Sequence, residues 1–332
     1  MNRKRLNFPF PAGRVPLLLF SVAAIAVPCT AVEAARPINE RRSVEATGTV
    51  EVIDPAGSVE ISGWDQPVLE VTGTLGDAVE RVEVTVNGAR SVVKVVVRKD
   101  SGWSASGEAR LVVHVPRQSS ISAALVSADL KVSHIEGMAT LQTVSGDVEG
   151  DVGQNVQVSV VSGDVRLAAT NAKAINVRSI SGDVIVTGGG GDVDVSTVSG
   201  DVDLTLSAVR RGRLKTVSGE LKASLALADD GQLDGESVSG DINVKFQAAP
   251  VADFALQTFS GDISNCFGPK PEEPQFGPGS RLVFKNGAAT GHVRLDTKSG
   301  DIGICVRDSR GGRAAEAAPV DRGPGPRYAM VV

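Results

Sequence analysis

Apolar and polar residues alternate with a period of two along most of this chain, as in Val193-Asp194-Val195 and Val202-Asp203-Leu204-Thr205-Leu206. Alternation of that kind buries one face of an extended segment and wets the other, and it predicts half-buried β-strands. Nothing of useful length repeats at 3.6 residues, so no helix is expected. The strands are punctuated by a recurring tripeptide. Ser-Gly-Asp stands at Ser145, Ser162, Ser181, Ser199, Ser239, Ser260 and Ser299, with Ser218-Gly219-Glu220 a variant and Ser127-Ala128-Asp129 a degenerate first copy. Successive spacings from Ser127 are 18, 17, 19, 18, 19, 21, 21 and 39 residues, the last close to two periods.

Aligning the copies on the serine produces columns. The residue before it is Val126, Val144, Val161, Ile180, Val198, Val217, Val238, Phe259 and, last, Lys298. Four before it lie Leu141, Val158, Val177, Val195, Leu214, Leu256 and Leu295, with Gly235 the exception, and two before it the column is mostly Thr or Ser. After each acid comes Val, Leu or Ile. Stacked strands lie about 4.8 Å apart, so identical positions build continuous ladders and a core that no single repeat could form alone. The apolar positions one and four before the serine have opposite parity. A bend or bulge at the corner is therefore expected to return both to the interior, with Gly supplying the unusual backbone angles and Ser or Asp bonding the local backbone. A period of 17–21 residues is too short for a helix pair and lacks the leucine-rich consensus. The expected fold is all-β, a parallel β-helix or β-solenoid of about nine to ten coils with an N-terminal β cap.

That cap is read over residues 43–116, which are strand-rich but less regular. Ser62-Gly63-Trp64-Asp65 resembles a loose corner there, and Asn87-Gly88 between two Val-rich runs signals a hairpin. Repeats are expected over 117–307, with a Pro- and Gly-rich loop insertion at 267–285 in which Arg281 to Phe284 adds a strand. Residues 308–332 read as a disordered tail.

Composition narrows the chemistry. Only 4% of the 332 residues are aromatic, which argues against stacked-base platforms. Arg3, Lys4 and Arg5, the apolar run Val15 to Val27 and the small residues before Ala35 predict a signal peptide over 1–34. Its removal leaves 30 basic against 38 acidic residues, a net charge of −8, with no basic stripe for nucleic acid and no later segment able to span a bilayer. The mature chain is expected to be periplasmic or secreted, in the cell envelope. It keeps two cysteines, Cys266 and Cys305, each four residues after a column acid. If the insertion loops out, their coils are neighbours and a disulfide is expected; if it forms a full extra coil, the gap doubles.

The corner sequences Thr143–Val148, Thr197–Val202 and Thr258–Ile263 resemble those of the bacterial putative-adhesin β-strand-repeat family, a domain of unknown function, over roughly Val44 to Val306. The resemblance implies an extracytoplasmic β-solenoid and brings no catalytic residues and no cofactor. The acid column Asp147, Asp164, Asp183, Asp201, Glu220, Asp241, Asp262 and Asp301 reads as turn capping, with calcium the alternative. Asp203, Asp194 and Arg166 are the candidates for a carbohydrate-active face. His114, His134 and His292 lack metal spacing, and Arg210-Arg211-Gly212-Arg213 reads as a solvated turn between strands. The expected function is a non-catalytic, adhesin-like binding or scaffolding protein. Its partner is an envelope component, whether glycan, lipopolysaccharide or protein. A carbohydrate-active β-helix enzyme and a self-associating β-helix polymer are the alternatives.

Overall fold

A computed structural model describes residues 36–98, 108–272, 279–288 and 290–307. The expected signal peptide and tail lie outside them. The described residues are all-β, and none is helical. In chain order the first strands are β1 (Arg36–Ser43), β2 (Thr49–Trp64), β3 (Val68–Leu75), β4 (Val79–Asn87), β5 (Arg90–Val97), β6 (Ala109–Pro116) and β7 (Ser120–Ile135). Through the regular repeats run β8 (Ala139–Ser145), β9 (Val148–Val152), β10 (Asn155–Ser162), β11 (Val165–Ala168), β12 (Ala174–Ser181), β13 (Val184–Thr187), β14 (Gly191–Ser199), β15 (Val202–Ser218), β16 (Leu221–Ser239) and β17 (Ile242–Phe246). The last are β18 (Ala252–Ser260), β19 (Ile263–Asn265), β20 (Ser280–Lys285), β21 (Gly291–Ser299) and β22 (Ile302–Val306).

Each repeat forms one coil with two extended faces that meet at the Ser-Gly-Asp corner. On the face before the corner, parallel pairing runs β5, β2, β7, β8, β10, β12, β14, β15, β16, β21, β18. On the face after it the order is β6, β2, β7, β9, β11, β13, β15, β16, β17, β22, β19. Corner serines pair with corner serines throughout, for example Ser162 with Ser181 and Ser218 with Ser239. Antiparallel strands flank both ends: β4 on β5, β1 and β3 beside β6, and β20 on β18. Asn87-Gly88 makes the expected hairpin between β4 and β5, with Gly88 at φ 58°.

Spatial order departs from chain order at both ends. The coil of β2 lies between that of β5 and β6 and that of β7. The coil of β21 and β22 lies between the β16/β17 coil and the earlier β18/β19 coil. Counting spacings could place the cysteine-bearing coils side by side but not reverse them.

The core is the stack of inward ladders. Val148, Val165, Val184, Val202, Leu221 and Ile242 are buried behind the corner, and Leu141, Val158, Val177, Val195, Leu214 and Leu295 in front of it. Each such burial stabilises by about 1.5–3 kcal/mol. Gly235 breaks the second ladder because Leu295 of the adjacent coil fills its place; a Cβ there would stand 2.7 Å from Leu295 Cδ2. Aromatic rings gather where the stack ends. Phe254 and Phe284 stack at 4.6 Å, with Phe246 and Phe267 edge-on to Phe254.

Cys266 and Cys305 are bonded, their Cα atoms 4.9 Å apart across the two reordered coils. Chain-entropy arguments give such a cross-link, closing 39 residues, about 4 kcal/mol. Cys266→Ala/Cys305→Ala is expected to lower the urea unfolding free energy by that order; an unchanged midpoint would show that the bridge contributes nothing.

Candidate functional site

The corner is built by glycine. Gly146, Gly163, Gly182, Gly200, Gly219, Gly240, Gly261 and Gly300 all have φ between 119° and 153°. At Gly182 a Cβ would also meet the carbonyl oxygen of Gly163 at 2.2 Å. Positive φ and close backbone approach each favour glycine, and the corner demands both.

The corner acids from Asp129 onward, Asp262 excepted, bond the neighbouring coil rather than their own turn. Asp129 Oδ1 accepts from the N–H of Asp147, Asp147 from Asp164, Asp164 from Asp183, Asp183 from Asp201 and Asp201 from Glu220, at 2.8–3.1 Å. At Glu220 the longer side chain turns aside to accept from Asn243 Nδ2 and Lys222 Nζ. The pattern resumes with Asp241 accepting from Asp301, and Asp301 from Asp262. The Asp183 N–H, aided by Arg166, holds the Asp164 carboxyl below its ordinary range. These are interlocking struts between coils. Among the described residues no group of three or more His, Cys, Asp or Glu side chains converges as a metal site.

The residue before the serine faces water, which overturns the expectation that a bend would bury it. The strand stays straight up to the corner. Positions two and four before the serine point inward, and positions one and three outward. Thr143, Ser179, Thr197, Thr216, Ser237, Thr258 and Thr297 are buried, whereas Val126, Val144, Val161, Ile180, Val198, Val217, Val238 and Phe259 are 43–65% exposed. Parity alone carries this signal: Thr and Leu share a phase, so the valine between Thr and Ser must face out. The result is an apolar strip beside an exposed row of serines, interrupted in space only by Lys298 between Val238 and Phe259. Contiguous apolar surface of this kind commonly marks an interaction site.

Other expected candidates are dispersed. Arg166 and Asp203 lie behind the corner on β11 and β15, whereas Asp194 lies on β14 in front of it, so the three do not share a face. The arginine cluster is no loose turn between strands; it lies within β15. Arg210 and Arg211 pair with Asp192 at 3.0 and 2.7 Å, and Arg213 with Asp194 at 3.4 Å. Arg211 first, then Arg210, holds Asp192 below the usual carboxylate range. His114 packs on Trp64 with ring centroids 5.0 Å apart, His134 takes φ 57° at a bulge in β7, and His292 is an exposed strand residue.

The model of the family Toastrack DUF4097 matches residues 58–305. The chain belongs to this family. The Toastrack match takes in every Ser-Gly-Asp corner and the bonded pair Cys266 and Cys305, and starts within β2 rather than at the Val44 suggested by the resemblance. The match agrees with the resemblance to a β-strand-repeat domain of unknown function. Among solved structures, the chain is similar to a "putative cell adhesion protein" from Clostridium sporogenes, at 10% identity and TM-score 0.23, covering 82% of this chain and 100% of that one. It is also similar to a "putative adhesin" from Bacteroides fragilis (13%, TM-score 0.32, 82% and 98%) and a "putative lipid binding protein" from Parabacteroides distasonis (14%, TM-score 0.31, 82% and 97%). No curated protein matches.

Proposed function

We propose that this Toastrack protein is an exported, non-catalytic β-solenoid of about nine to ten coils with an N-terminal β cap, which acts as an adhesin-like binding or scaffolding protein of the cell envelope. One observation carries the reading: the strip Val126 to Phe259 repeats an exposed apolar side chain on every coil but that of Lys298. Export is supported by the signal-like N-terminus and by a cystine, which persists in oxidising compartments. No helix among the described residues is long and apolar enough to cross a membrane.

The strip is the contact surface in this reading. Its aliphatic side chains contribute dehydration energy, and the serine row beside it contributes hydrogen bonds. Co-sedimentation of the purified mature chain with isolated cell envelopes tests it. Wild type should pellet with the envelopes. Val198→Asp/Val217→Asp should stay in the supernatant while remaining folded by circular dichroism, its unfolding free energy lowered by about 1–2 kcal/mol because Asp suits a strand less well than Val and the two carboxylates face each other on adjacent coils. Failure of the wild type to pellet, or a doubly substituted chain that pellets equally, would overturn the proposal.

A further inference from the structure

The edge opposite the Ser-Gly-Asp corners carries a second feature, at the N-terminal end of the stack. Four turns meet there: residues 44–48, 65–67, 117–119 and 136–138. They enclose an open cleft of about 440 Å³ lined chiefly by Trp64, Asp65, Gln66, Arg117, Gln118 and Glu136. Trp64 is the only tryptophan among the described residues.

The cleft is held rigid from behind. Arg117 N–H donates to the Trp64 carbonyl and Glu136 N–H to the Arg117 carbonyl, both at 2.9 Å, so three successive turns are stacked by their backbones. Trp64 is fixed as well. Its indole N–H donates to the Val68 carbonyl at 2.9 Å, His114 tilts against the ring, and the Arg41 guanidinium lies 5.8 Å from the ring centroid while bonding Gln66 Oε1. The indole N–H is thus already used, and the ring offers the cleft only the hydrocarbon that His114 and Arg41 leave uncovered. Around it the polar side chains are planar: two carboxylates, two amides and, with Arg41, two guanidiniums. Asp65 and Glu136 flank Arg117, at 3.2 and 3.9 Å.

We infer that this cleft binds an uncharged saccharide. A pyranose presents a face of C–H bonds, which suits a fixed indole wall. It also carries vicinal hydroxyl pairs, each able to donate and accept, which suit planar carboxylate, amide and guanidinium groups bidentately. The volume falls in the range of small-molecule sites and suits a short oligosaccharide. Asp65 and Glu136 offset the guanidiniums of Arg117 and Arg41, so the cleft has no cationic excess to draw uronates or phosphorylated sugars. The site lies on the turn edge, away from the apolar strip, and does not depend on it.

Fluorescence of the full mature chain carrying Trp103→Phe, which leaves Trp64 as the only tryptophan, tests the inference. Titrants are the tetrasaccharides of β-1,4-linked N-acetylglucosamine, β-1,4-linked glucose and α-1,4-linked glucose, with tetragalacturonate as the charged comparator. At least one neutral tetrasaccharide should shift the emission saturably and tetragalacturonate should not. Glu136→Gln and Gln118→Ala, at turn positions whose loss leaves the core intact, should each weaken that binding about tenfold, the equivalent of one good hydrogen bond. Emission unmoved by all three neutral sugars, or a response to tetragalacturonate as strong as to them, would overturn the inference. So would binding that both substitutions leave unchanged. Val198→Asp/Val217→Asp should lose envelope retention and keep sugar binding, so the two sites fail independently.

Discussion

Replacing Gly182 with alanine is expected to destabilise the protein by about 4 kcal/mol or more, the range reserved for a buried backbone clash. Two costs combine at this corner. With φ at 119°, Gly182 holds a backbone conformation that a side-chain-bearing residue adopts only under strain of about 1–3 kcal/mol. Its Cβ would stand 2.2 Å from the Gly163 carbonyl oxygen, so one coil could accept it only by moving away from the next. That movement would strain the acid struts on both sides, from Asp183 N–H to Asp164 and from Asp201 N–H to Asp183. Two companion substitutions separate the costs. Gly88→Ala, with φ 58° and open space around the new methyl, should show only the milder cost of a left-handed residue without a clash, about 1–2 kcal/mol. Gly150→Ala, which meets only the flexible end of Leu167 at 3.0 Å, should cost little. Urea unfolding of the three variants measures the series, and equal midpoints for Gly182→Ala and Gly150→Ala would refute the account of the corner.

A fall in stability of about 4 kcal/mol between pH 4 and pH 8 is expected from one residue, Asp54. It lies in β2 opposite Leu125, in the inward column where later coils carry Thr143, Thr197 and Thr216. Its side chain is fully buried; Oδ1 accepts from the Ala56 N–H at 3.2 Å, and Oδ2 has no partner. Burial pushes the carboxyl up to about 7 from its ordinary 3.8. Below about pH 4 both folded and unfolded chains hold the proton and nothing is lost. Between 4 and 7 the unfolded chain releases it while the folded chain keeps it, so stability declines as pH rises, at about 1.4 kcal/mol per unit. Above 7 both states are ionised and the loss is complete. Asp54→Thr, which restores the hydroxyl of the other coils, should remove this slope and raise stability most at pH 8. Parallel stability–pH curves for the two proteins would show that Asp54 does not titrate in this way. The exposed acids act in the opposite sense: Asp164, Asp192 and Glu236, held low by their partners, add stability that is lost only as pH falls into the acid range.

The period, the inward aliphatic ladders and the neighbouring cysteines were legible in the sequence, because each is a one-dimensional repeat projected onto a constant strand spacing. What escaped were features fixed by direction or by order. The outward valines looked like core because hydrophobicity outweighed parity, although Thr197 and Val195 already occupied the inward phase. The acid struts were readable as capping, yet their partner was the next coil, and only the stack reveals that. The arginines of β15 looked like a turn because their neutralising partners, Asp192 and Asp194, lie about one period earlier. The cleft at Trp64 was visible only as a loose corner, since Arg117 and Glu136 reach it from coils more than fifty residues further on.

The reordering at the C-terminal end has a mechanical meaning. A tether drawn from Arg307 would load β22, which is bonded to β17 on one side and β19 on the other, with β21 likewise held between β16 and β18. Such a pull cannot unzip a free outer strand. It must tear two rows of hydrogen bonds together, with the cystine carrying part of the load, and so raises the force needed to begin unravelling the protein from that end.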